Sequence, residues 1–248
     1  LFRFPFDDER WQGKALVGGL LGLASLALFP ITFPLMLPIS GYSVRIMRQV
    51  IQGEPPSLPE WDNWRQLFGD GLRIGVVGFV YGLPAWLLMC CAYSLWFLSV
   101  PLMVAAGEDA PGLALGVMFG SYGLGFLLFG VTLLLSLFLG FLSMVAITRV
   151  VASGSLESGF QFGEVWRLAR AGFTNYLLAF GLLYAAIIVG SMLASVLIYT
   201  CVLACLYPFV LGFLMFYGPV LMGALLGKAY YHTVAPGEKE LAAAQASG

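Results

Sequence analysis

Charge is what this sequence has least of. Of 248 residues only 10% are Asp, Glu, Lys or Arg, and one is histidine. Soluble domains run nearer a quarter charged, so an ordinary water-soluble fold is excluded. The shortage is also uneven. No charged residue occurs in 15–44, 74–107, 110–148 or 171–227. A net charge of −1 gives no long-range pull on nucleic acid, and no nucleic-acid partner is expected. Cysteine is scarce too. Cys90, Cys91, Cys201 and Cys205 all lie in apolar blocks without nearby histidine or carboxylate. They therefore read as buried free thiols, not as a metal site or disulfide. A charged opening, LFRFPFDDERWQGK, lacks the small-residue cleavage site of a secretory leader.

What is present is apolar residue: 60% of the chain, with a mean hydropathy of +0.91. A spanning helix needs ~20 apolar residues, and each block is at least that long. The runs are continuous, where a barrel strand alternates over ~10 residues. The expected fold is therefore an all-α polytopic membrane protein, a single transmembrane domain over 1–248. All twelve Lys and Arg precede the first block, lie between the first and second or the third and fourth, or follow the last. The loop around AGEDAPG (106–112) has none. If the basic segments share the cytoplasmic side, about six spans result. Block 15–44 then forms a hairpin near Pro30, Pro34 and Pro38, and the last block turns near Tyr199–Tyr207. A re-entrant break at GSYG (120–123) is one way to use the long third block.

The polar segment after the first block recurs at a constant offset of 101. Arg48 matches Arg149, Gly53 matches Gly154, Ser57 matches Ser158 and Glu60 matches Gln161. Trp61 matches Phe162, Leu67 matches Leu168 and Gly71 matches Gly172. The repeats run over about 14–106 and 112–200, leaving a polar tail at 228–248. Gly53 and Gly154 stand where an arriving helix wants a left-handed C′ residue. Ser57–Glu60 and Ser158–Gln161 have capping-box spacing. Each would start a short amphipathic helix: Trp61, Trp64, Phe68 and Leu72 on one face of the first, Phe162, Val165, Trp166, Ala169 and Phe173 on the second. Such helices, rich in tryptophan and arginine, lie in the headgroup plane. Gly71 and Gly172 then provide the bend into the next span. Candidate lipid-headgroup residues are Arg45, Arg48, Trp61, Trp64, Arg65, Arg149, Trp166, Arg167 and Arg170.

FRFPFDDERWQGKALVGGLL, GYSVRIMRQVIQGEPPSLPEWDNWRQLFGDGL and the second Gly-Ser-Leu…Phe-x-Phe-Gly-Glu-Val-Trp segment together resemble a prokaryotic membrane family known as domain of unknown function number 4013. The resemblance covers roughly residues 2–185 and is most specific in Gly-Tyr-x-x-Arg…Leu-Pro-Glu-Trp-Asp. It implies a helical fold and a prokaryotic cytoplasmic (inner) membrane, or an internal membrane continuous with it, and carries no activity. More distantly the layout is similar to the membrane domain attached to some glycerophosphodiester phosphodiesterases, whose catalytic domain is not among these residues.

Catalytic chemistry finds little support. Ser121 has no base at depth, and a serine without a base is a poor nucleophile. Asp70 in GDGLR resembles a fragment of the CDP-alcohol phosphotransferase signature, but no further aspartates follow in 74–107. His232 stands alone beside Tyr230 and Tyr231. No cofactor or metal is expected. Glycine is abundant, with 31 residues. Four-residue spacing at Gly18–Gly22, Gly112–Gly116–Gly120 and Gly223–Gly227 suits close helix packing in lipid. The favoured reading is a non-catalytic accessory, assembly or scaffold subunit whose partners are membrane lipids and other integral membrane subunits. Two alternatives stay open: a transporter or channel for an uncharged or apolar solute, and a lipid-metabolism enzyme.

Overall fold

The structure is a computed structural model describing residues 4–27, 33–106, 111–199 and 206–246. In hydrocarbon every backbone N–H and C=O must be satisfied within the chain, and continuous apolar runs therefore coil into helices. Among the described residues there are seven α-helices: α1 (Trp11–Ala27), α2 (Phe33–Ile51), α3 (Trp64–Ala106), α4 (Pro111–Ser153), α5 (Phe162–Ala171), α6 (Phe173–Tyr199) and α7 (Tyr207–Ala246). Among the described residues four stretches are long and apolar enough to cross a membrane: Trp64–Ala105, Leu115–Ser153, Phe173–Leu197 and Tyr207–Val234. The chain is thus an all-α protein with the helices of a membrane protein. At 17 and 19 residues, α1 and α2 are at or below the ~20 residues of a full crossing. Of the turn expected near Pro30, Pro34 and Pro38, Pro34 and Pro38 stand within α2, while Pro30, most of the turn expected at Tyr199–Tyr207, most of the acidic loop, and Cys201 and Cys205 lie outside the described residues.

The chain divides into two compact units. The first comprises 1–77 and 144–248, and α7 is its post, packed by α1, α2 and α6. Between helices in lipid there is no hydrophobic drive, so close backbone approach supplies the packing. Gly19 of α1 lies 3.5–3.7 Å, measured from a notional Cβ, from the backbone of Gly212 and Phe213. Gly18 and Gly22 sit beneath Phe216 and Met215. On the other side Gly223 and Gly227 rest on the carbonyls of Ser43 and Met47. Gly41 of α2 and Gly71 of α3 each face a backbone carbonyl across the crossing, Leu67 and Leu37 respectively, with no room for a Cβ. Tyr42, Ile46, Leu67, Phe216, Val220 and Ala224 fill the core between these contacts.

The second unit, 78–143, is the rest of α3 and α4. Trp96 stands over Gly125 and against Tyr122 and Phe126. Most of this unit's large apolar side chains are exposed, Phe97 at 77% and Leu134 at 70% among them. Gly112, Gly116 and Gly120, spaced for packing, have no other atom within reach of a notional Cβ. Cys90 and Cys91 are free thiols, but exposed, not buried. The chain is unbroken at GSYG: α4 runs through it, with the Ser121 hydroxyl donating to the Val117 and Met118 carbonyls one turn back. The polar tail is helical to Ala246 as the continuation of α7.

The two polar segments differ from expectation in an instructive way. Both arriving helices end at a left-handed glycine, Gly53 at φ 83° and Gly154 at φ 73°. Neither capping box forms. Ser57 instead meets the Gln49 side chain. Ser158 bonds Ser153 and the Ser155 carbonyl, and Gln161 makes no side-chain cap. In the second segment a short amphipathic helix does appear: α5, which buries Val165 and Ala169 and hands over to α6 at Gly172. In the first there is no separate helix. Residues 54–60 are irregular, α3 starts at Trp64 after a left-handed Asn63 (φ 54°), and it passes straight through Gly71.

The cause is a set of three side-chain donors to the first segment that the repeat does not carry over. Pro55, Pro56 and Pro59 remove N–H groups and disfavour helix. The carbonyls of Leu58, Pro59 and Glu60 then accept from Lys14 Nζ at 2.7 Å, the Tyr42 hydroxyl at 2.7 Å and Arg45 Nη1 at 3.2 Å. With its backbone acceptors satisfied by side chains, the segment stays extended. At the offset of 101 those three donors become Leu115, Ser143 and Ala146. The second segment therefore lacks those three donors, and it coils instead.

Candidate functional site

Basic residues gather at the ends of helices in the first unit, and they fall into two kinds. Lys14 and Arg45 are consumed by structure. Lys14 Nζ lies 2.8 Å from Asp8 and 3.1 Å from Glu60 while donating to the Leu58 carbonyl, and its side chain is 8% exposed. The lysine hydrogen bond holds the Asp8 carboxyl below its ordinary range. Arg45 grips the Asp62 carboxylate and the carbonyls of Glu60 and Asp62. That grip likewise lowers the exposed Asp62 carboxyl.

The second kind comprises two trios in which one carboxylate serves two arginines. In the first, Asp70 lies 3.4 Å from Arg48 and 3.6 Å from Arg73. This is the aspartate of GDGLR, and it is spent on neutralising arginines. In the second, Glu164 lies 3.2 Å from Arg149 and also pairs Arg167, while Gln161 accepts from Arg149 at 2.8 Å. Arg48 and Arg149 are the repeat-related pair, each five residues before its left-handed glycine. Each trio carries one more positive charge than negative.

The second trio borders a cavity of about 490 Å3. Arg149 and Ser153 from α4, Glu164 and Arg167 from α5, and Tyr230 and Thr233 from α7 line it. Thr233 is held there by its own helix, donating to the Ala229 carbonyl at 2.7 Å. It touches the α5–α6 junction where Gly172 leaves no room for a Cβ. Arg170 lies 4.8 Å over the Trp166 ring, on the outer face of α5.

The remaining candidates separate by exposure. Trp64, Arg65 and Trp166 are exposed. Trp61, expected on a lipid-facing stripe, is instead packed inward. It stacks on Tyr42 at 4.3 Å, lies near Phe216 and donates its indole N–H to the Lys14 carbonyl at 3.0 Å. In single-tryptophan variants, brominated lipid should quench Trp86 and Trp64 strongly and Trp61 little. Equal quenching of Trp61 and Trp86 would contradict the inward packing. Among the described residues no three His, Cys, Asp or Glu side chains converge as a metal would need. Sequence spacing missed Lys14 and Tyr42, whose partners lie 44 and 17 residues away.

Residues 25–199 match the family model described as Protein of unknown function (DUF4013). The match takes in both polar segments and both arginine trios, and stops before α7. No curated protein and no solved structure matches the chain.

Proposed function

We propose that this chain, which belongs to the DUF4013 family of proteins of unknown function, is a non-catalytic accessory, assembly or scaffold subunit of a larger membrane complex. One observation carries the reading. Unit 78–143 is free of charge except for Glu108 and Asp109, yet most of its large apolar side chains are exposed, and only 11% of an 18-residue apolar window is buried in each of α3 and α4. An isolated lipid-facing hairpin needs no small residues on its surface. This one presents Gly112, Gly116 and Gly120 to open space, where a neighbouring helix could approach closely.

On this reading α1 and α2 complete a six-span bundle in a prokaryotic cytoplasmic membrane or one continuous with it. The basic helix ends lie on the cytoplasmic side, and α5 and the strapped segment 54–63 form the two interfacial elements of a diverged repeat. A second reading, a path for an uncharged or apolar solute, draws on a cleft of about 310 Å3 in the same hairpin, lined in part by Thr132, Ser136 and Ser143. Gentle extraction from native membrane followed by native mass spectrometry tests the two. Co-migration with a fixed set of larger subunits is the expected result. A lone protein or homo-oligomer would remove the scaffold reading and make solute flux in liposomes the deciding measurement.

A further inference from the structure

We propose that the cavity between α4, α5 and α7 binds the phosphate of an anionic lipid headgroup through Arg149 and Arg167. The proposal deepens the functional reading above and rests on its placing of these helix ends at the membrane surface.

Three features of the site point to this ligand. The first is unspent donor capacity. A guanidinium has five N–H donors in a planar fork suited to phosphate. Among the described residues, Arg149 uses its donors on Glu164 and Gln161, and Arg167 on Glu164. Lys14, by contrast, has a partner for each of its three donors, and Arg45 spends three of its five on carbonyls and a carboxylate. The second is charge. Two arginines face one carboxylate in a concave site, leaving a positive surplus that an anion would balance. The hydroxyls of Ser153 and Thr233 are already engaged by their own neighbourhood, so the guanidiniums are the binding donors.

The third is depth. The charge-free runs of α4 and α7 end at Thr148 and Gly227, and the run that enters α6 begins at Ala171. All three boundaries lie at this cavity, where a bilayer's phosphate layer would meet them. The rest of its lining is apolar, from Ala152, Leu168, Ala171 and Val234. Those walls suit the glycerol and first methylenes of a lipid and offer nothing to free inorganic phosphate.

The test uses the full chain purified in mild detergent and reconstituted in nanodiscs of phosphatidylcholine, with or without a minor fraction of phosphatidylglycerol. Retained lipid is read by native mass spectrometry and stability by thermal unfolding. Phosphatidylglycerol should be retained selectively. R149Q with R167Q should weaken that retention by roughly tenfold or more, the scale of a lost charge-assisted contact. R10Q, at an exposed arginine just before α1, should leave it unchanged.

E164Q separates binding from scaffolding. It removes the internal counter-charge, so retention of phosphatidylglycerol should rise several-fold even if stability falls. Equal retention of the two lipids, or an E164Q variant that holds phosphatidylglycerol less well than the parent, would overturn the proposal. So would inorganic phosphate alone raising the unfolding temperature as much as phosphatidylglycerol does, since the source would then be the free ion. Retention is measured on the isolated chain, so it stands or falls independently of whether partner subunits are found.

Discussion

Gly41→Val should cost about 3 kcal/mol, the upper range for forcing volume into a packed interior. The reason is that the obstacle is backbone. A Cβ at Gly41 would overlap the Leu67 carbonyl, and Leu67 itself is fully buried in the core. A flexible side chain could swing aside, but a carbonyl in the first turn of α3 can move only with its helix. Gly71 faces the Leu37 carbonyl in the same crossing, so α3 has no slack in either direction. Gly116→Val is the matched control. Its glycine stands in open space within the chain, and the purified protein should change by less than about 0.5 kcal/mol. Unfolding of both variants in the same micelles gives the answer. If Gly41→Val is tolerated as well as Gly116→Val, the α2–α3 contact does not exist as described. In native membranes the order should reverse for assembly: Gly116→Val should lose partner subunits while keeping its own fold.

Lys14→Met should be nearly as damaging, at about 3 kcal/mol. Removing one member of a buried charge cluster strands the others, at a typical cost of ~3–5 kcal/mol. The lower end applies because Glu60 is 58% exposed and partly recovered by water. The same change releases the Leu58 carbonyl, so limited proteolysis within 54–63 should become faster. Acid provides a second readout. Asp8 has a folded value lowered from an ordinary 3.8 by its lysine. Its contribution is therefore complete above that ordinary value and is lost as pH falls through the lowered folded one. That acid limb should be present in the parent and absent from Lys14→Met. A Lys14→Met protein with parental stability and parental proteolysis would show that the strap contributes nothing.

The helical class of the fold was legible in the sequence. Long charge-free runs have one low-energy form in hydrocarbon, and the left-handed glycines at 53 and 154 follow from the local geometry of a helix end. The positions of Gly18, Gly22, Gly223 and Gly227 were also visible as a spacing, though not the partners they meet. The sequence could not tell these glycines from Gly112, Gly116 and Gly120. All carry the same pattern, and only the arrangement of helices decides which of them has a backbone opposite.

The polar segments divide along the same line. Composition located both, because charge and tryptophan in an apolar chain mark the places that meet water. Capping-box spacing then predicted the same helix twice. Whether a helix formed was decided by donors far away in the chain. Lys14, Tyr42 and Arg45 take three successive carbonyls of the first segment and hold it extended, and the repeat puts no such donor at Leu115 or Ala146. Trp61 turned inward for the same reason, since the strapped backbone lays its ring on Tyr42. Arg149 and Arg167 could be named from the sequence as surface cations. That they share a single carboxylate, beside a cavity closed by α7, depends on a helix that arrives about sixty residues later. Local order here was written in composition and spacing. Contacts between distant side chains and backbone acceptors, which no local pattern encodes, were settled by the tertiary structure.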